Sequence, residues 1–118
     1  MLSDASVEEL SRRSGEPVDA RRFRMTIALA GCEPHEEDTW IGGEVEIGEA
    51  RVRVNGQVGR CAITTQSPDT GLRDFDSLRS IKAYRGQNPH TREIDFGVYG
   101  QVVTPGRVRV GDPVWPLD

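Results

Sequence analysis

One lysine, two cysteines and two histidines stand among 118 residues, and each scarcity closes off a chemistry. Lys82 is the sole lysine and lies in a stretch that reads as an ordinary surface helix, so Schiff-base catalysis is discounted, and pyridoxal phosphate with it. Cys32, Cys61, His35 and His90 form no zinc-type spacing, and the sequence has no CxxC, no HExxH and no glycine-rich phosphate loop. No apolar run approaches membrane-spanning length, and "MLSDASVEELSRRSG" has no apolar core of signal-peptide size. The expectation is a cytoplasmic chain that does not engage membranes, with reduced thiols rather than a disulfide. A net charge of −4 argues against general nucleic-acid binding, which needs a basic face.

What is present is arginine. Of fifteen basic residues, all but Lys82 are arginine, whose planar fork suits phosphate and carboxylate. An apolar fraction of 36% and a charged fraction of 29% fit a globular chain rather than a disordered one. The length fits one domain over residues 1–118 with one core.

Ser6 and Glu9 form a capping-box pattern that predicts a short helix over Ser6–Ser14, stopped by Gly15. "RRFRMTIALAG" reads as a strand, and "PHEEDTW" as an acidic loop. "EVEIGEARVRV" alternates polar and apolar residues around a two-residue Gly48-Glu49 turn. It predicts a hairpin with Val45, Ile47, Ala50, Val52 and Val54 inward. Asn55-Gly56 offers a further turn, "RCAITT" a further strand, and "SPDTG" ends it. Leu78, Ile81 and Tyr84 recur at helical spacing over Ser77–Tyr84. "DFGVYGQVV" and "GRVRVGDPV" read as two last strands. Closely spaced β elements without a repeated βαβ unit predict an all-β, mostly antiparallel barrel with two short helices.

The segments "RRFRMTI", "HEEDTWIG", "GRCAITTQSPDTG", "LRSIKAYRG", "FGVYGQVV" and "PGRVRVGDPV" occur in an order that resembles the MOSC domain. That domain is the carboxy-terminal module of molybdenum-cofactor sulfurases and amidoxime-reducing components. The likeness runs from about Ser6 to Val114 and is closest to the bacterial stand-alone members. It implies a MOSC-type β-barrel, here apparently lacking its amino-terminal strand or strands, and a molybdenum cofactor (molybdopterin). It also implies that Cys61, in the RC-x-x-TT motif, is the protein ligand to molybdenum and the centre of catalysis. The RFRPNI segment of the family corresponds to Arg22–Ile27, with Met25 and Thr26 in place of Pro and Asn. Arg22, Arg24, Thr26, Arg60, Thr65 and Tyr99 are accordingly the candidate cofactor-binding residues.

The residues themselves leave alternatives open. A thiolate is the expected soft partner for a high-valent molybdenum centre, but a free cysteine is also a common core filler. Strand alternation puts Cys61, Ile63 and Thr65 on one face and Arg60 and Ala62 on the other. It also points Arg22 and Arg24 to one side, either at a phosphate or at a solvated face balanced by Glu36, Glu37 and Asp38. Tyr99 lies between Gly97 and Gly100, which allow close approach of backbone or ligand. Cys32 reads as structural.

Two functional classes follow. One is a cofactor-dependent oxidoreductase or sulfur-transfer enzyme, with a small nitrogen- or sulfur-containing substrate and an electron-donor or sulfur-donor protein. The other is a non-catalytic binding or sulfur-carrier module, or a truncated remnant, that relies on a partner chain. In both, an exposed apolar edge or groove near Leu2 and Ile27 is expected, covered by another copy or by an amino-terminal partner domain.

Overall fold

Alternation builds the centre of the molecule. A computed structural model describes residues 1–117. In it "EVEI" and the arginine-rich run after it form β3 (Glu44–Ile47) and β4 (Ala50–Arg60), paired antiparallel with Ile47 opposite Ala50. Gly48 takes φ 55° at the first turn position, a left-handed conformation that glycine adopts without a Cβ penalty. Val45, Ile47, Ala50 and Val54 are buried. On the other face Arg51 meets Glu46 at 3.3 Å and Arg53 meets Glu44 at 3.1 Å.

β5 (Ile94–Thr104) lies antiparallel along β4, and β6 (Val114–Pro116) along β3, giving the order β5-β4-β3-β6. β1 (Leu2–Ser3) and β2 (Ala28–Leu29) make a small parallel pair. The Val98 amide donates to the Met1 carbonyl at 2.9 Å, which ties that pair to β5. Two helices complete the framework, α1 (Asp4–Ser14) and α2 (Ser77–Arg85). Their inward residues Val7, Leu10 and Ile81 pack with Leu2, Phe23 and Phe96. The Phe23 and Phe96 rings lie 4.6 Å apart, an arrangement that adds about 0.5–1.5 kcal/mol beyond area burial.

The β-rich, mostly antiparallel expectation is met and both helices are present, but the sheets do not close into a barrel among the described residues. Several local expectations are corrected. The cap of α1 is Ser3, whose side chain accepts from the Ser6 amide at 3.0 Å; Glu9 instead pairs with Arg12 and Arg13. Asn55-Gly56 is no turn. β4 runs through it because the Tyr99 ring covers Gly56, where a Cβ would sit 3.2 Å from the ring. "RRFR" is a 3-10 turn (Ala20–Phe23) capped by Asp19, not a strand. "GRVRVG" also fails as a strand, because two of its amides go to side-chain carboxylates instead of a neighbouring strand: Arg107 donates to Glu49, 58 residues away, and Arg109 to Asp112.

The acidic loop is a 3-10 turn (Glu36–Trp40) whose Glu37 is fully buried. Its carboxylate accepts from the Ser3 amide, the Ser3 hydroxyl at 3.2 Å and the Ser6 hydroxyl at 2.9 Å. A desolvated carboxylate persists only when hydrogen bonds replace water, and here they pin the start of α1. Leu2 is buried and Ile27 half-buried, and apolar-lined grooves lie at both, one along Leu2, Val7, Met25 and Ala28 and the other along Ile27, Val98 and Val102. Exposed apolar residues continue on β5 at Tyr99, Val102 and Val103.

Candidate functional site

β4 ends at Arg60, and the chain turns at once. Cys61 is still extended, at φ −122° and ψ −179°, and caps a 3-10 turn (Ala62–Thr65). The expected strand over "RCAITT" is therefore absent, and with it the shared face of Cys61, Ile63 and Thr65. The turn is held by its own threonines. The Thr64 hydroxyl bonds the Cys61 carbonyl at 3.0 Å and the Ser77 hydroxyl at 2.8 Å, and the Thr65 hydroxyl donates to the Ala62 carbonyl at 2.6 Å. Cys61 itself is a free, exposed thiol. It is not a core filler. Cys32 is half-buried, and burial with the nearby Glu37 carboxylate pushes its thiol up.

Beside this turn lies a cavity of about 350 Å³ lined by Arg21, Arg22, Arg24, Ile63, Gln66 and Ser67, among others. Its three arginines are unequal. Arg21 is exposed and paired with Asp19 at 2.7 Å and Asp69 at 3.1 Å. Arg22 is sunk to 9% side-chain exposure, pairs with Asp74 at 2.8 Å, donates to the Gln66 carbonyl at 3.1 Å and stacks over Phe75. Its Nε–H is buried with no partner among the described residues. Arg24 is exposed, holds the left-handed conformation at φ 51°, and enters none of the described ion pairs or side-chain hydrogen bonds. A non-glycine residue held there carries local strain. Arg22 and Arg24 thus reach one cavity from a turn, not from alternate positions of a strand.

Arg24 also lines a second groove, of about 420 Å³, with Met25, Thr26, Ile27, Val98 and Tyr99. The other candidates separate. Thr65 faces a third cavity with Ala62, Arg73 and Asp74. Cys61 is not among the lining residues of any of these three cavities, although its successors Ala62 and Ile63 are. Arg60 turns inward: Nε donates to the Phe96 carbonyl and Nη1 to the Phe23 carbonyl, both at 2.8 Å. Burial pushes its pKa down to about 10, against an opposing attraction to Cys61. Neither Glu37 nor Asp38 makes a described ion pair with Arg21, Arg22 or Arg24: Asp38 pairs with Arg85 at 2.6 Å, and Glu37 is taken by Ser3 and Ser6. Sequence reasoning passed over Arg21, Gln66 and Ser67; the doubled arginine in "RRFR" is the signal for the first.

The donor set fits a group with a thiolate-binding metal at one end and an anion at the other. An exposed thiol and an arginine-lined cavity share one turn, and an orphaned guanidinium N–H borders that cavity.

Comparison with known proteins agrees with this frame. The model of the MOSC domain family matches residues 1–115. The chain is 38% identical over 123 residues to mitochondrial amidoxime-reducing component 1 of Mus musculus, covering 99% of this chain and 36% of that protein. Against mitochondrial amidoxime reducing component 2 of Homo sapiens the figures are again 38%, 99% and 36%. It thus spans about a third of the length of these curated relatives. The crystal structure of YiiM from Geobacillus stearothermophilus superposes with a TM-score of 0.65 at 21% identity, over 99% of this chain and 52% of that one. That likeness speaks for the fold. By the family match and by these relatives together, the chain belongs to the MOSC domain family.

Proposed function

We propose that the chain is a molybdenum-cofactor-binding module that supports redox or sulfur-transfer chemistry at a molybdenum ligated by Cys61. The observation that carries this is the exposed Cys61 thiol at a turn whose Ile63, with Gln66 and Ser67 beyond it, walls the arginine-lined cavity. When bound, the cofactor supplies two-electron redox or oxygen-atom transfer on a small nitrogen- or sulfur-containing substrate. The chain's own residues bind and orient. Cys61 offers a soft ligand once it has lost its proton. Arg24 and the free N–H of Arg22 hold an anionic group of the cofactor, and Thr26 and Tyr99 border the groove that continues from Arg24. Thr64 and Thr65 hold the turn.

An electron-donor or sulfur-donor protein belongs to this reading, as does a partner domain or second copy over the exposed strip of Tyr99, Val102 and Val103. Free thiols in the structure fit a reducing compartment such as the cytoplasm.

The exposure of Cys61 also favours a second reading, in which the thiol carries sulfur as a persulfide without catalysis. Metal and pterin analysis with intact-mass spectrometry on protein from its native host separates the two. Molybdenum with a pterin, lost in Cys61→Ser, supports the first. A mass gain of one sulfur on Cys61 without molybdenum supports the second.

A further inference from the structure

Arg60 precedes Cys61, yet its side chain serves the protein interior. Its guanidinium donates to the Phe23 carbonyl and the Phe96 carbonyl, while Nη2 reaches Met25 Sδ at 3.1 Å and the plane lies over the Phe23 ring. No carboxylate pairs with it among the described ion pairs. Room for it is made at Gly97, where φ is 89° and a Cβ would sit 3.3 Å from Nη2 and 3.2 Å from Met25 Cε. One planar fork therefore joins three pieces: the end of β4, the bend that carries Arg22 and Arg24, and β5. A half-buried cation without a carboxylate is costly, and at this position it fixes geometry at the site.

We propose that Arg60 is the positioning residue of the Cys61 site. By clamping the Phe23–Met25 bend and β5 to the last residue of β4, it sets where the Cys61 thiol stands relative to the arginine-lined cavity. The inference rests on the reading of Cys61 as a ligand. It reassigns Arg60 from binding the cofactor to holding the frame around it, because the fork's described bonds go to protein acceptors. Lysine is no substitute, since a single ammonium cannot match carbonyls on two segments and a thioether in one plane.

The test places a nitroxide on Cys61 in a Cys32→Ser background and compares Arg60 with Arg60→Lys and Arg60→Gln by continuous-wave electron paramagnetic resonance. A control label sits on α2 at Lys82→Cys, with both native cysteines changed to Ser. Circular dichroism monitors the fold, and unlabelled protein coexpressed with molybdenum-cofactor synthesis gives molybdenum per chain. Expected is a loss of label restraint at Cys61 alone, with a fall in molybdenum per chain, in line with the roughly 10- to 100-fold loss of affinity caused by removing other residues that orient a metal ligand. Unchanged restraint at Cys61 in a folded variant overturns the proposal. So does mobilisation of both labels, or unfolding of both variants, since Arg60 would then hold the fold and not the site. Absence of molybdenum from the parent would sink the Cys61 reading alone, and the label mobility would still decide the role of Arg60.

Discussion

Arg22 Nη1 lies 2.8 Å from Asp74 Oδ1, and that bond divides the labour between two arginines that the sequence treats as a pair. Arg22 is largely committed to the protein, whereas Arg24 has no side-chain partner among the described residues. Arg22→Ala is expected to cost about 1–3 kcal/mol of stability, because Asp74 and the Gln66 carbonyl lose their donor. Arg24→Ala should leave stability nearly unchanged, since the side chain has no partner among the described residues and alanine keeps the Cβ that makes φ 51° unfavourable. It should weaken binding of inorganic pyrophosphate, used as an anion probe. Urea titration and calorimetric titration read the two effects separately.

Cys61→Ser should remove molybdenum while leaving the circular dichroism spectrum intact, because serine supplies a hard oxygen that rarely loses its proton. Cys32→Ser is the control and should retain the metal. Metal analysis of both variants checks the pair, and equal retention would return Cys61 to the role of an ordinary surface thiol.

Glu37→Ala should destabilise by about 2–4 kcal/mol, since it leaves one amide and two serine hydroxyls without their acceptor in a fully buried place. Hydrogen exchange should show α1 opening first. Uniform loss of protection across both sheets would argue against a local pin.

How much of this was legible in the sequence depends on the range of the forces involved. The β3–β4 hairpin and α2 are written in local alternation and spacing, and both formed as read. Glu37 was hidden because its partners lie 31 and 34 residues away, and a charged residue within "HEEDTW" looks solvated. The arginine bend was misread for the opposite reason. Its apolar alternation suggests a strand, while the Asp19 cap and the left-handed Arg24 impose a turn. Cys61 was found through family resemblance; its exposure came only with the end of β4.

His35 and Tyr84 form a half-buried titratable pair between the Glu36–Trp40 turn, next to Phe96, and α2. The His35 ring meets the Tyr84 hydroxyl at 3.0 Å, and its Nδ1 is buried without a described partner. Burial and the Arg85 charge hold His35 below its usual 6.5, so its contribution is present above that pH and lost as pH falls. Burial pushes Tyr84 up to about 12, so its contribution is lost as pH rises above 10. Arg60, whose pKa is lowered to about 10, acts in the opposite direction to Tyr84 above that pH, so the effects are read as differences from the parent. In stability measured across pH, His35→Gln should flatten the acid limb and Tyr84→Phe should remove the alkaline loss.

The bond between Val98 and Met1 joins positions 97 residues apart. During synthesis the β3–β4 hairpin can form early from neighbouring residues, but Leu2 and Phe23 must wait for Phe96 on β5 before they are covered. Loop closure of that span comes late and slowly. A nascent chain halted before Ile94 therefore leaves its amino-terminal apolar residues open to chaperones and to aggregation, and the arrangement around Cys61 is among the last things the protein acquires.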